Sequence, residues 1–83
     1  MTDTQTLKIL GGNIRRLREA REWSLSELAR QIDDYPSNVK RIEDGVSMPG
    51  LGLSTRIAEA LDVTIDELLT PQALGKKILA NAT

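Results

Sequence analysis

The chain of 83 residues has a formal net charge of −1, 40% hydrophobic residues, one Trp, one Tyr and neither cysteine nor histidine. The absence of Cys and His excludes disulfides, zinc fingers, thiol nucleophiles and histidine-based triads, so we expect no enzyme, no metal site and no cofactor. This length suffices for one compact domain, but not for a binding head joined to a sensor domain. Without an apolar run of about 18 residues or a signal-peptide pattern, we expect a cytoplasmic protein with no membrane partner.

The first predicted helix begins at about Thr6 and is apolar along one face, at Leu7, Leu10, Ile14 and Leu17. Gly11 and Gly12 interrupt it at a cost of about 1 kcal/mol each relative to Ala. The pair lacks the preceding strand and the Lys-Ser/Thr ending of a phosphate loop. We interpret it as a site of close helix packing or as a helix start near Asn13.

Four arginines make this helix basic, namely Arg15, Arg16, Arg18 and Arg21. Their spacing to Glu19 and Glu22 allows ordinary surface pairs worth a few tenths of a kcal/mol. Only Arg18 has a predicted structural role, because it lies at the edge of the apolar stripe. Trp23 is interpreted as a hydrophobic staple in front of the next helix.

The stretch 24–45 has the pattern of two short helices joined by a corner of roughly three residues. Ser24 and Glu27 form a predicted capping box, and apolar residues follow at helical spacing. The pattern stops at 33–35, and Pro36 then suits the first turn of a new helix. At about 100° per residue, inward Val39 and Ile42 leave a polar outer face made of Ser37, Arg41 and Asp44, flanked by Asn38 and Lys40.

This outer face has two interpretations. Arg can donate to guanine and Asn can pair with adenine in a major groove, which the small polar face would fit. For an isolated helix, however, a solvated surface face is the commoner explanation. Glu43 favours the interpretation as a DNA-reading face. It lies near the buried side of the helix, where an unpaired carboxylate is costly. We therefore expect it to pair with Arg18 and to fix one packing geometry.

These residues resemble the helix-turn-helix domains of the phage repressor and Cro type, also called the Xre type. The resemblance covers about residues 11–69 and is carried by Arg18, Leu28-Ala29, Val39, Ile42-Glu43, Gly45, Pro49, Ile57-Ala58, Ala60-Leu61 and Val63. It implies an all-α, compact five-helix DNA-binding domain whose helix at about 36–44 enters the major groove of double-stranded DNA. It also implies the Arg18–Glu43 ion pair, which the helical angles indicate independently.

The function implied is a sequence-specific transcriptional regulator, a dimeric repressor that reads a palindromic operator. Base edges would be read by Ser37, Asn38 and Arg41, with Pro36 at the helix entry. Lys40, Ser26 and Ser47 would touch the DNA backbone. The alternative is a protein-interaction module on the same fold, such as an antitoxin, antirepressor or adaptor, whose acidic corner faces a basic protein partner.

The rest of the chain has the pattern of a loop and two more helices. The loop 46–50 precedes a fourth helix with apolar Leu51, Leu53, Ile57 and Leu61. Thr64 and Glu67 form a second predicted capping box, which opens a fifth helix that buries Ile65, Leu68 and Leu69. We place the domain at 1–70 and a tail at 71–83, for which a short helix packed on the domain, a dimerisation helix and a frayed end all remain open.

Several positions depart from the family pattern and make the expected DNA surface more acidic. Asp33 and Asp34 stand at the corner in place of Gly and an apolar residue, and Asp44 replaces an Asn that reaches a phosphate. Tyr35 replaces a small N-cap, so Asp34 or the backbone must cap the helix while Tyr35 supplies the missing apolar contact. Leu25 stands where many relatives have a Gln that contacts DNA.

Residues 8–56 hold nine basic and seven acidic residues, a net charge of +2, which predicts modest non-specific affinity for DNA.

Overall fold

The computed structural model describes residues 3–71, which contain five α-helices and no strand. The helices are α1 (Asp3–Ala20), α2 (Leu25–Gln31), α3 (Pro36–Glu43), α4 (Leu51–Ala60) and α5 (Ile65–Leu68). The predicted all-α, five-helix class is confirmed. Residues 72–83 of the predicted tail 71–83 lie outside the described residues, and with them the short helix that was one of the alternatives for this tail. None of the helices described is long and apolar enough to cross a membrane.

Helix α1 begins at Asp3 rather than near Thr6 and runs unbroken through Gly11 and Gly12. The alternative of a helix start near Asn13 is therefore wrong. A Cβ atom on Gly11 would overlap the backbone oxygens of Ile42 and Glu43, whereas one on Gly12 would meet no atom within 4 Å. Only the first glycine serves close packing, and it lets α1 approach the C-terminal end of α3.

The five helices enclose one apolar core. The inward positions Val39 and Ile42 are both only 2% exposed, as the helical angles predicted. Trp23 is half-buried and packs against this core. Leu69, predicted to be buried, is 41% exposed because α5 ends at Leu68 and Leu69 forms its C-cap. The core members are Leu10, Ile14, Leu28, Ala29, Ile32, Val39, Ile42, Ile57, Ala58, Leu61 and Leu68.

Each of the first four helices is followed, two residues after its last residue, by a residue with left-handed backbone; these are Glu22, Asp33, Gly45 and Asp62. In each case the next residue donates its N–H back across the last turn, as Asp34 does to the Ala29 carbonyl at 2.9 Å. Left-handed backbone costs an L-residue about 1–2 kcal/mol, less for a short polar side chain such as Asp. This explains how the corner accepts Asp33 where the resemblance leads one to expect glycine.

The two predicted capping boxes differ in outcome. Thr64 accepts from the Glu67 N–H at 3.0 Å while the Glu67 carboxylate accepts from the Thr64 N–H at 2.8 Å, so this box is complete. Ser24 likewise caps α2 by accepting from the Glu27 N–H at 3.0 Å. The Glu27 carboxylate instead binds Arg30 and Gln31, so the box predicted there is only half formed.

Candidate nucleic-acid interface

The outer face of α3 carries most of the predicted contact residues. Pro36, Ser37, Lys40 and Arg41 are exposed, and Asn38 is half-buried at the edge of the face. The opposite side of the same helix enters the core through Val39 and Ile42. The two remaining predicted residues lie on other segments, with Ser26 exposed on α2 and Ser47 half-buried in the loop after α3.

Asp34 organises the start of α3. Its Oδ1 accepts from the Tyr35 N–H at 2.7 Å, and its Oδ2 accepts from the Asn38 Nδ2 at 2.9 Å. The Asn38 amide is therefore held by a carboxylate, which can only accept, so its NH₂ group faces Asp34. Tyr35 makes no side-chain cap and is 75% exposed, so the prediction that it supplies an apolar contact is wrong.

Lys40 and Arg41 are adjacent in sequence but differ in what holds them. The Lys40 ammonium lies 3.1 Å from Asp44 Oδ2, one helical turn further on. Within residues 3–71, Arg41 forms no ion pair, so its guanidinium is available to an external partner. A fixed amide, a paired lysine and an unpaired arginine thus share this face of α3.

The expected Arg18–Glu43 pair lies behind that face and joins α1 to α3. Arg18 Nε lies 2.7 Å from Glu43 Oε2 and Nη2 lies 3.0 Å from Oε1, while Nη1 donates to the Trp23 carbonyl at 2.7 Å. The two side chains are only 10% and 4% exposed. The Glu43 hydrogen bonds raise the pKa of Arg18 above its ordinary value, against the opposing effect of burial. This two-point contact fixes the position of α3 on α1.

Two further arginines have structural contacts, and one of them is Arg21. The prediction that Arg18 alone among Arg15, Arg16, Arg18 and Arg21 has a structural role is therefore wrong. Arg21 donates to the Leu61 carbonyl at the end of α4 at 2.8 Å, and its guanidinium lies 5.3 Å from the Trp23 ring centroid. Arg56 donates to the Ile32 carbonyl at the end of α2 at 3.0 Å. Both cap helix C-termini, where cations are favoured. No spacing rule in the sequence reveals these long-range partners.

Asn13 is a structural residue that sequence reasoning missed. It is 3% exposed, and its Nδ2 donates to the carbonyls of Leu68 and Thr70, both at 2.7 Å. These bonds tie the end of α5 to α1. The available signal was its position three residues after Leu10, which places a polar side chain on the apolar stripe.

Comparison with known proteins supports the resemblance. Residues 14–68 match the model of the family HTH_3, helix-turn-helix. The crystal structure of the hypothetical transcription factor NHTF from Neisseria is similar at 30% identity and a TM-score of 0.80, covering 94% of this chain and 91% of that one. The clp gene regulator ClgR from Corynebacterium glutamicum is 25% identical over 93% of this chain and 81% of its own, with a TM-score of 0.75.

An HTH_3 family transcriptional regulator from Vibrio cholerae shares the fold at 24% identity and a TM-score of 0.73, covering 82% of this chain and 38% of that structure. None of the curated protein sequences matches the chain.

Proposed function

Because the chain belongs to the Xre-type helix-turn-helix family, we propose that it is a sequence-specific regulator that binds double-stranded DNA with α3 in the major groove. The observation that carries this proposal is the difference between the inner and outer sides of α3. Its inner side is locked to α1 by the Arg18–Glu43 pair and by close packing at Gly11. Its outer side presents Arg41, which is exposed and forms no ion pair within the part of the chain that the structure describes. A rigidly positioned helix with polar, partly basic residues outward meets the geometric requirement for reading base edges.

The contact residues divide into base readers and backbone contacts. Arg41 is the principal base reader, because it is exposed and has no acidic partner within residues 3–71. Ser37 and the Asp34-bound Asn38 read alongside it, and Pro36 lets the start of α3 approach the groove. Lys40, Ser26 and Ser47 contact phosphates, which position the protein without reading sequence.

The regulator acts as a homodimer that represses transcription from a palindromic operator. One such domain contacts few base pairs, and two copies related by a two-fold axis would read two half-sites about 34–36 Å apart. The modest basic excess of residues 8–56 supports this arrangement, since a single copy would gain little from phosphate contacts alone.

The corner between α2 and α3, at residues 33–35, supports a second candidate function, that of a protein-interaction module. Asp33 and Tyr35 are exposed next to Asp34, so an aromatic ring with acidic neighbours projects from the start of α3. Such a surface suits a basic protein partner, as in an antitoxin, antirepressor or adaptor. This candidate predicts no salt-dependent duplex binding and no effect of Ser37 or Arg41 substitutions on function.

The test compares Arg41→Ala with Arg15→Ala, which removes an exposed arginine of α1 that pairs with Glu19. On the preferred duplex, Arg41→Ala should weaken binding by about 1–3 kcal/mol and relax the preference at one base pair. Arg15→Ala should leave the affinity and the base preference unchanged. Equal weakening on every sequence would make Arg41 a phosphate contact, and no weakening at all would remove it from the interface.

A further inference from the structure

Asp44 is the acidic residue that pairs with Lys40, one of the two outward cations of α3. It forms the C-cap of that helix, and its side chain is 45% exposed. Both of its carboxylate oxygens face the Lys40 ammonium, at 3.1 and 3.5 Å, and within residues 3–71 this is its only side-chain partner. Lys40 is also the cation of α3 that the proposed function assigns to a DNA phosphate.

The fold does not account for an acid at this position. A negative charge at the C-terminal end of a helix is disfavoured by the helix dipole. Both side chains of the pair with Lys40 are exposed, and such pairs contribute little to stability. The acids Glu43 and Asp34 have contacts that account for their presence. Glu43 binds Arg18 in the interior, and Asp34 accepts hydrogen bonds from two groups at the start of α3. Stability therefore gives no reason for Asp44.

We propose that Asp44 is an intramolecular competitor of DNA phosphate for Lys40, which lowers the affinity of this chain for any duplex. This rests on the proposed function. A carboxylate oxygen at 3.1 Å occupies the place at which a phosphate oxygen would accept from the same ammonium. To contact DNA, Lys40 must exchange Asp44 for a phosphate, and the released carboxylate then lies near the negatively charged backbone.

Competition at Lys40 lowers binding to all sequences alike. Lys40 would bind a phosphate, which carries no sequence information, whereas Arg41 reads a base and is not held by Asp44. The ratio between preferred and random duplexes should therefore be independent of Asp44. The consequence for the protein is weaker binding to random DNA at an unchanged specificity ratio.

The experiment compares Asp44→Asn with Asp62→Asn in the full chain. Both changes remove one negative charge from an exposed Asp just after a helix, and Asp62 follows α4 rather than α3. At low salt, D44N should tighten binding to preferred and random duplexes alike, by about three- to tenfold. Its plot of log affinity against log salt should steepen by up to about 0.9, the change for one added phosphate contact. D62N should stay within about twofold of the unsubstituted protein.

A Lys40→Gln background separates competition from general repulsion. If Asp44 acts through Lys40, D44N should gain less than about twofold once Lys40 is replaced. An equal gain of D44N and D62N, or a gain that persists fully in K40Q, would overturn the proposal. Failure of the proposed function would look different, because neither the unsubstituted protein nor D44N would then bind any duplex at low salt.

Discussion

Glu43 is the last residue of α3 and Asp44 is its C-cap, and each pairs with a cation, yet the two pairs differ in almost every respect. Glu43 reaches inward to Arg18 on α1 with two hydrogen bonds, and its side chain is 4% exposed. Asp44 reaches along its own helix to Lys40, and both of those side chains are at least 45% exposed. The rotation of about 100° per residue places one acid in the interior and the other at the surface.

This difference shows that the surroundings of an ion pair decide its role. Removing one member of a buried pair leaves an uncompensated charge in the interior, so such a pair constrains the packing of two helices. An exposed pair is screened by water and salt and can exchange partners readily. The buried pair thus fixes the position of α3 on α1, whereas the exposed pair leaves Lys40 able to exchange its partner.

The largest expected effect is on the buried pair. Glu43→Ala should lower the free energy of unfolding by about 3–5 kcal/mol, because Arg18 would remain buried without its partner. Urea denaturation at low temperature measures this loss. The control is Asp44→Ala, for which we expect a change within about 0.5 kcal/mol.

A double variant sharpens the interpretation. Arg18→Met combined with Glu43→Leu should recover most of the stability, since an apolar pair of similar size removes the desolvation cost. A loss below about 0.5 kcal/mol for Glu43→Ala alone would contradict the assignment of this pair to the interior.

The next effect concerns the contact between α1 and α3 at the two glycines. Gly11→Ala should destabilise the fold by about 1–3 kcal/mol, because its methyl group would overlap the backbone of Ile42 and Glu43. Gly12→Ala should stabilise it by about 1 kcal/mol, since the space there is open and alanine favours helix. Thermal unfolding of both variants checks the sign. Shifts of equal sign would contradict the close approach at Gly11.

The smallest effect concerns the pair on α2 between exposed Arg30 and half-buried Glu27. Hydrogen bonds from Arg30 and then Gln31 lower the pKa of Glu27 below its ordinary value of 4.5, against the opposing effect of desolvation. A lowered folded-state pKa means that this group stabilises the fold above its unfolded pKa and loses that contribution as pH falls through its folded pKa. A carboxyl NMR titration should show the lowered midpoint, and Arg30→Ala should raise it. An unchanged midpoint in that variant would exclude Arg30 as the main cause.

Much of this fold could be predicted from sequence because its signals are local. Helical spacing located the inward Val39 and Ile42, and Thr64 with Glu67 marked the start of α5. The Arg18–Glu43 contact was also accessible, since helical angles place both residues near the interior. The roles of Asn13, Arg21 and Arg56 were not, because each binds a carbonyl distant in sequence.

The candidate interface likewise combines features that the sequence predicts with features that only the structure reveals. The outward set Ser37, Lys40 and Arg41 follows from periodicity alone. How the side chains are engaged does not follow, because the contacts of Asp34 with Asn38 and of Asp44 with Lys40 depend on rotamers. The exposure of Tyr35 also required the structure, since its position before Pro36 suits either an inward or an outward ring.

The most direct test of the account is selection of duplexes by this chain from a random-sequence pool, followed by affinity measurements against salt. The account predicts a palindromic consensus whose affinity falls with salt with a slope of several units, and loss of preference at one base pair per half-site in Arg41→Ala. Absence of any enrichment at low salt would contradict the assignment of the outer face of α3 to DNA, and would favour a basic protein partner at the acidic corner.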